Sequence, residues 1–140
     1  MPAGATKPHA TKTACPIAFA VDLIGDRWTL LVIRDLMFHG KRYYGELLAS
    51  EEGIATNVLA DRLLKLEENG IVTRHDDPDN RKRIRYQLTK KGKALMPALL
   101  ELVRWSGKHD PKTGAPKAFL RRLEKDREGL MQELLSELKK

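Results

Sequence analysis

The chain has 140 residues, of which 41% are hydrophobic and 32% charged, a composition that excludes a disordered protein and suits one domain with one core. Its net charge of +7 favours a polyanionic partner, either nucleic acid or an acidic membrane surface. The single cysteine, Cys15, excludes an internal disulfide, and no apolar run is long enough to span a bilayer, so we expect a cytoplasmic protein with no membrane partner.

The N-terminal part predicts a tail followed by two helices. Residues 1–13 are rich in Ala, Thr, Pro and Lys and contain no apolar segment, so we expect a flexible tail rather than a signal peptide. Pro16 is typical of a first helical position with Cys15 at the cap, and Gly25 is typical of a helix end. Asp26 is then placed to cap a second, strongly apolar helix.

The next segment predicts a short helix, a turn and a longer helix. Residues 41–50 suit the short helix, and Gly53 marks the turn. The run ATNVLADRLLKLEENG predicts a helix from about Thr56, which we expect to act as its cap, to Asn69, with Gly70 as its end. One side of this helix is apolar and carries Leu59, Leu63 and Leu66.

Two short alternating segments follow and predict a β-hairpin. Ile71–His75 and Ile84–Leu88 alternate apolar and polar residues, and the turn DPDN lies between them. From Arg81 to Lys93 there are seven cations and no acid. A solvated turn is the plainer interpretation of this run, but lysines in a first helical turn oppose the helix dipole, so an external phosphate would explain them better.

The C-terminal part predicts two further helices. The first runs from Lys90 to about Gly107 and should kink at Pro97, which removes one backbone hydrogen bond. Residues 108–116 suit a linker, and residues 117–140 a last amphipathic helix for dimerisation. We therefore expect residues 14–107 to form the functional domain. The predicted fold is mainly α with a two-stranded wing, which is a winged helix-turn-helix with additional terminal helices.

A helix followed directly by a basic hairpin is typical of domains in which the helix enters the major groove of duplex DNA. Asn57 and Arg62 have donors suited to adenine and guanine edges. The alternative is that this polar face points only at water. The helix residues that we predict to contact DNA are Thr56, Asn57, Val58, Asp61, Arg62 and Lys65. On the wing we predict contacts from Arg81, Lys82 and Arg83. The residues that we predict to contact the DNA backbone elsewhere are Arg27, Lys41 and Arg42.

Catalytic signals are weak throughout the sequence. Its four histidines are scattered, and it has no glycine-rich phosphate loop or nucleophile elbow. Asp76, Asp77 and Asp79 suit a polar turn better than a metal site. We therefore expect a protein that is not an enzyme, with neither a metal nor a cofactor. Apolar faces carry the aromatic residues Trp28, Trp105, Phe19, Phe38 and Phe119, for which core packing is expected and a ligand pocket is the alternative.

The order DLIGDRWTLLVIRDL, GKRYYGELL, GIATNVLADRLLKLEENGIV and YQLTKKGKAL resembles the HxlR-type transcriptional regulators, winged-helix proteins distantly similar to the MarR regulators. The resemblance covers Cys15 to about Trp105. It implies a homodimer on a two-fold operator, with terminal helices at the interface, usually as a repressor. It also implies control by a metabolite or by thiol oxidation in some members. This chain departs from the family pattern at Ala55, Asn57 and Ala60, so base preference does not carry over.

Cys15 corresponds to the cysteine that acts as a redox switch in some relatives, and a helix N-terminus favours the reactive thiolate. A small packing residue is the alternative. For the whole chain we expect a dimeric DNA-binding transcriptional regulator, with a small molecule or electrophile as effector. The rival is a winged-helix module that binds protein, for which the cation run from Arg81 to Lys93 would be unnecessary.

Overall fold

A computed structural model of the protein describes residues 14–80 and 82–138. The chain divides into two compact units, the first ending at Gly92 and the second beginning at Lys93. These units are defined by packing alone. The predicted functional domain over residues 14–107, the linker over 108–116 and the dimerisation helix over 117–140 therefore stay predictions. Nowhere in the described residues does a helix combine the length and apolar character needed to cross a bilayer.

The first unit is mainly helical and contains a two-stranded antiparallel sheet, as predicted. Its elements are α1 (Pro16–Ile24), α2 (Arg27–Phe38), α3 (Tyr44–Leu48), α4 (Thr56–Glu68), β1 (Val72–Asp76), β2 (Ile84–Leu88) and α5 (Lys90–Lys93), whose last residue belongs to the second unit.

Capping residues explain where these helices begin and end. Cys15 is the N-cap of α1, with Pro16 as the first helical residue. The Asp26 carboxylate caps α2 by accepting hydrogen bonds from the backbone N–H groups of Trp28 and Thr29, each at 3.1 Å. Gly70 follows α4 with φ 73°, a left-handed conformation that glycine adopts without strain. These three predicted caps and ends are confirmed.

The core of the first unit lies where α2 and the sheet pack against α4. Helix α4 contacts α2, α3 and β1, and α2 also contacts β2. Residues 49–55 connect α3 to α4, and Gly53 adopts φ 74° in this turn. The buried apolar residues of this unit are Val32, Ile33, Leu36, Met37, Leu47, Ile54, Leu59, Leu63, Leu66, Ile71, Val72, Tyr86 and Leu88.

The hairpin pairs β1 with β2 in a register from Val72 opposite Leu88 to Asp76 opposite Ile84. Strand β1 begins and ends one residue later than predicted. The segment before α3 joins the other edge of β2, since Tyr43 forms an isolated bridge with Arg85. This addition anchors the base of the wing to α3, and the sequence analysis did not predict it because the contact involves one residue without a strand pattern.

The second unit consists, in its described part, of α6 (Met96–His109), α7 (Lys117–Lys125) and α8 (Arg127–Glu137). Helix α7 packs against both α6 and α8. The prediction of one kinked helix from Lys90 to Gly107 is wrong, because α5 ends at Lys93 and Pro97 lies in the first turn of α6. Proline is tolerated there, since a first-turn N–H has no partner within the helix.

The last helix was also predicted to be continuous, and it is not. Asp126 separates α7 from α8, and its N–H donates to the carbonyl of Arg122 at 2.7 Å. Its carboxylate then caps α8 by accepting from the N–H of Gly129 at 3.2 Å. A short acidic side chain at this position favours a new helix start over continuation.

Two aromatic residues expected in the core are exposed. Phe19 is 44% exposed on α1, and Trp105 is 62% exposed on α6. Neighbouring apolar side chains are exposed as well, including Ile17 and Val21 on α1 and Leu102 on α6. None of the nine residues of α1, all of them described, is buried. Helices α1 and α6 thus each keep large apolar side chains exposed to solvent in the described structure.

Candidate nucleic-acid interface

Helix α4 presents its first turn to solvent. Ala55 is its N-cap, in an extended conformation, and Ala55, Thr56 and Asn57 are all exposed. Alanine has no side-chain acceptor, so no cap occupies the first N–H groups of α4. The prediction that Thr56 caps this helix is wrong, because Thr56 is already its first helical residue. The exposed turn therefore offers backbone N–H groups and a positive dipole end to an anion.

The start of α4 is held from the neighbouring helix. The hydroxyl of Tyr44 on α3 donates a hydrogen bond to the carbonyl oxygen of Thr56, at 3.0 Å. The sequence analysis predicted a helix at Tyr44 but not this role for its hydroxyl, because no spacing rule relates residues twelve apart. Tyr44 thus orients the first turn of α4 without occupying its N–H groups.

The polar face of α4 is less available than its sequence suggests. Arg62 donates from Nε to Asp26 Oδ1 at 3.0 Å and from Nη1 to Asp61 Oδ2 at 2.6 Å. Lys65 Nζ lies 3.3 Å from the same oxygen of Asp61. Hydrogen bonds to Asp26 and then Asp61 raise the pKa of Arg62. The bond to Asp26 also attaches α4 to the N-terminus of α2. Val58 is half-buried. Thr56 and Asn57 are the exposed predicted residues near the helix start.

The wing carries a pre-oriented arginine. The Arg83 guanidinium carbon lies 3.5 Å from the ring centroid of Tyr43, and Nη1 lies 3.6 Å from Asp77 Oδ2. The side chain is still 52% exposed. Lys82 is exposed, whereas the predicted wing residue Arg81 lies outside the described residues. Stacking on an aromatic ring restricts Arg83 to one orientation and leaves its outer edge open.

A cavity of about 450 Å³ lies where the wing meets the start of α3. Its lining combines two aromatic rings with two cations and one carboxylate. The lining residues are Tyr43, Tyr44, Gly45, Glu46, Lys82, Arg83 and Ile84. Because Lys82 and Arg83 of the wing contribute to its lining, the cavity belongs to the same face as the wing.

A buried carboxylate fixes the turn before α4. Asp35, 2% exposed, accepts from Arg34 Nη2 at 2.7 Å, from His39 Nδ1 at 2.9 Å and from the hydroxyl of Ser50. Lys41 Nζ lies 3.4 Å from Asp35 Oδ2 and donates to Ser50 Oγ at 2.8 Å. We call Asp35, Arg34, His39, Lys41 and Ser50 the Asp35 cluster.

This cluster changes the role of one predicted DNA contact. Lys41 was predicted to contact the DNA backbone, but its ammonium is engaged by Asp35 and Ser50 and is only partly exposed. Arg34 also bonds Glu52, with Nη1 at 2.6 Å from Oε2, and this hydrogen bond lowers the pKa of Glu52 to about 2. Because Ser50 and Glu52 both lie in the connection between α3 and α4, the cluster ties that connection to α2.

Arg27 and Arg42, which were also predicted to contact the DNA backbone, have different surroundings. Arg27 is exposed at the start of α2, with its guanidinium 5.1 Å from the ring centroid of Trp28. Arg42 is half-buried and reaches the carbonyl of Leu36 at 3.5 Å.

Within residues 14–80 and 82–138 no three His, Cys, Asp or Glu side chains are grouped to hold a metal ion.

Comparison with known proteins identifies this arrangement. The HxlR-like helix-turn-helix family matches residues 23–113, so α7 and α8 lie beyond the match. The uncharacterized HTH-type transcriptional regulator sll1512 of Synechocystis is 40% identical over 88 residues, which are 63% of this chain and 64% of that protein. The alignment thus spans less than two thirds of that relative.

Two solved structures have the same fold. PA1607, a candidate transcription factor, has a TM-score of 0.67 at 34% identity, covering 75% of this chain and 73% of PA1607. The oxidized form of the redox regulator HypR has a TM-score of 0.60 at 29% identity, covering 67% of this chain and 96% of HypR. Because the family matches most of the sequence and the structure contains its helix-turn-helix, this chain belongs to the HxlR-like helix-turn-helix family.

Proposed function

We propose that this protein is a transcriptional regulator that binds duplex DNA, with α4 in the major groove and the wing on the backbone. The observation that carries the proposal is the exposed, uncapped first turn of α4 in the same unit as a basic hairpin. The buried side of α4, formed by Leu59, Leu63 and Leu66, fixes the helix on the domain. The outer side presents Thr56 and Asn57 for base and phosphate contacts.

The predicted contact residues divide into three groups, for base contact, for holding α4 in place and for phosphate contact. Asn57 is the strongest candidate for a base contact, since its amide is exposed and can pair with an adenine edge. Arg62, by contrast, is held by Asp26 and Asp61, so a direct base contact would require it to exchange these partners. We propose that Arg62 chiefly holds α4 in place, while Lys82, Arg83 and Arg27 contact phosphates.

The proposal is tested by measuring duplex DNA affinity against salt. We expect a log-log slope of several units, because each contacted phosphate contributes about 0.9. Replacing Lys82 and Arg83 with alanine should weaken binding to all sequences alike and reduce the slope by up to about 1.8. Fluorescence anisotropy with labelled duplexes of different sequence gives both quantities.

The matched control is Asn57→Ala, which removes no charge. It should change sequence preference and leave the slope nearly unaltered. If Asn57→Ala and the wing variant behave alike, the division of roles is wrong. A near-zero slope for the wild type would instead support the rival, a winged-helix module that binds protein.

A homodimer would cover the exposed apolar helices. Helix α1 exposes Ile17 and Val21, and α6 exposes Leu102 and Trp105. Exposed apolar side chains about one turn apart on a helix, as on α1 and on α6, are typical of protein contacts. Two copies would place two α4 helices on half-sites one or two helical turns apart. We propose that the dimer represses transcription by occupying a promoter. We also propose that the protein is cytoplasmic. Sedimentation equilibrium and a reporter gene test these points.

Thiol oxidation is our second proposal, because Cys15 is exposed at the N-cap of α1. Diamide should weaken operator binding several-fold, and a Cys15→Ser variant should resist it. Two Cys15 thiols of two chains would join as one disulfide, while the azo bond of diamide takes up the two electrons and two protons. Alternatively, diamide would oxidise Cys15 and a small thiol to a mixed disulfide, and its azo bond would again take up the two electrons and two protons. An equal response of both proteins in the anisotropy assay excludes Cys15 as the switch.

A further inference from the structure

Helix α7 carries a line of exposed cations. Lys117, Arg121 and Lys125 are spaced four residues apart, so they lie along one side of the helix. All three are exposed. Within the part of the chain that the structure describes, none of the three forms an ion pair. We call these residues the α7 ridge.

The other arginines of this unit are paired instead. Arg122, beside the ridge on α7, lies 3.0 Å from Glu133 of α8, and Arg104 of α6 lies 3.3 Å from Glu124. Arg127 bonds Glu101. The acids that α6, α7 and α8 place near one another thus neutralise these three arginines, whereas the three cations of the α7 ridge form no ion pair within the described residues.

This placement has a cost within the protein itself. Like charges four residues apart repel one another on a helix, and Lys117 in the first turn also opposes the helix dipole. Successive ridge cations are about 6 Å apart along the axis, since a helix rises about 1.5 Å per residue. A regular row of cations suits a linear polyanion better than one small anion.

Among linear polyanions and charged surfaces, duplex DNA fits best. A helix that binds an anionic membrane exposes apolar side chains next to its cations. Helix α7, all of whose residues are described, has Leu123 buried and Phe119 and Leu120 half-buried, with no large apolar side chain exposed. The chain also carries the domain proposed above to bind DNA, which would hold α7 at a high effective concentration near the duplex.

We propose that the α7 ridge is a second phosphate-contacting surface, which binds the DNA backbone flanking the site occupied by α4. This inference rests on the proposed function. It concerns α7 alone, which lies outside the part of the chain that matches the family. The ridge would add affinity and salt dependence without adding base preference, because phosphate contacts carry no sequence information directly.

The test compares the full-length chain with a triple variant, Lys117→Gln, Arg121→Gln and Lys125→Gln. The probe is a duplex of about 40 base pairs, or about four helical turns. We expect the salt slope to fall by between about 1 and about 2.7, and affinity at low salt to fall about tenfold. A charge-conserving variant, Lys117→Arg, Arg121→Lys and Lys125→Arg, should bind as the wild type does.

The outcomes separate the two proposals. An unchanged slope in the triple variant, with a wild-type slope of several units, overturns the ridge proposal and leaves DNA binding by α4 intact. A wild-type slope near zero overturns the proposed function instead. Circular dichroism checks that α7 still folds, and if the triple variant is unfolded, Arg121→Gln alone should lower the slope by up to about 0.9. Ridge-dependent binding to anionic vesicles with unchanged DNA binding would also overturn the ridge proposal.

Discussion

Replacing Asp35 with alanine should lower the free energy of unfolding by about 3–5 kcal/mol, the usual cost of removing one partner from a buried ion pair. The carboxylate is 2% exposed and accepts from Arg34, His39 and Ser50. Without it, Arg34 and Lys41 retain partly buried charges with fewer acceptors. Urea unfolding at neutral pH measures the effect as a lower midpoint with a nearly unchanged slope.

Asp61→Ala is the matched control, because it also removes a helical aspartate that pairs with two cations. Its side chain is 45% exposed, so the change in stability should stay within about 1 kcal/mol. Both variants gain the same helix propensity from alanine, which therefore cancels in the comparison. Equal losses of unfolding free energy in the two variants would show that burial does not increase the contribution of the Asp35 cluster to stability.

The pH dependence of stability gives a second measurement on Asp35. Burial raises the pKa of Asp35, but the hydrogen bonds from Ser50 and Arg34 and the charges of Arg34 and Lys41 outweigh it and lower the pKa below 3.8. A carboxyl group whose folded-state pKa is lowered stabilises the fold above its unfolded pKa, and this contribution is lost as the pH falls through the folded value. Wild-type stability should therefore fall below about pH 4, and less steeply in Asp35→Asn.

Gly92→Ala should destabilise the first unit by about 1–3 kcal/mol, as overpacking of a filled site usually does. Gly92 is buried, and an added Cβ would overlap the carbonyl oxygen of Ile71 and lie 3.0 Å from Leu88 Cδ2. That carbonyl already accepts from the N–H of Thr89 at 2.9 Å and from its hydroxyl at 3.1 Å. It cannot move away without weakening both hydrogen bonds.

Gly45→Ala is the control for Gly92→Ala. A Cβ at Gly45 meets nothing within 4 Å, and the residue lies in α3. Alanine is favoured over glycine in a helix by about 1 kcal/mol, so Gly45→Ala should be neutral or stabilising. Thermal unfolding of both variants provides the comparison, and a loss of stability at Gly45 equal to that at Gly92 would contradict the overlap with Ile71.

Where local patterns were distinctive, the elements were predictable. The bounds of β2 were predicted correctly, and α4 begins at Thr56 and ends before Gly70, as its apolar spacing and its glycine indicate. The errors in helix continuity lie at Pro97 and Asp126. Each of these residues suits either an interrupted helix or a new helix start, and local propensity does not distinguish these outcomes.

Periodicity and glycine positions were sufficient to indicate a helix-turn-helix with a basic wing, because both depend on residues close in the chain. Which cations remain available to a partner depended on the fold. Arg62 pairs with Asp26, 36 residues away, and Lys41 with the buried Asp35, whereas Lys117 and Arg121 form no ion pair within the described residues. An ion pair requires two side chains to meet in space, and residue spacing alone does not specify that meeting.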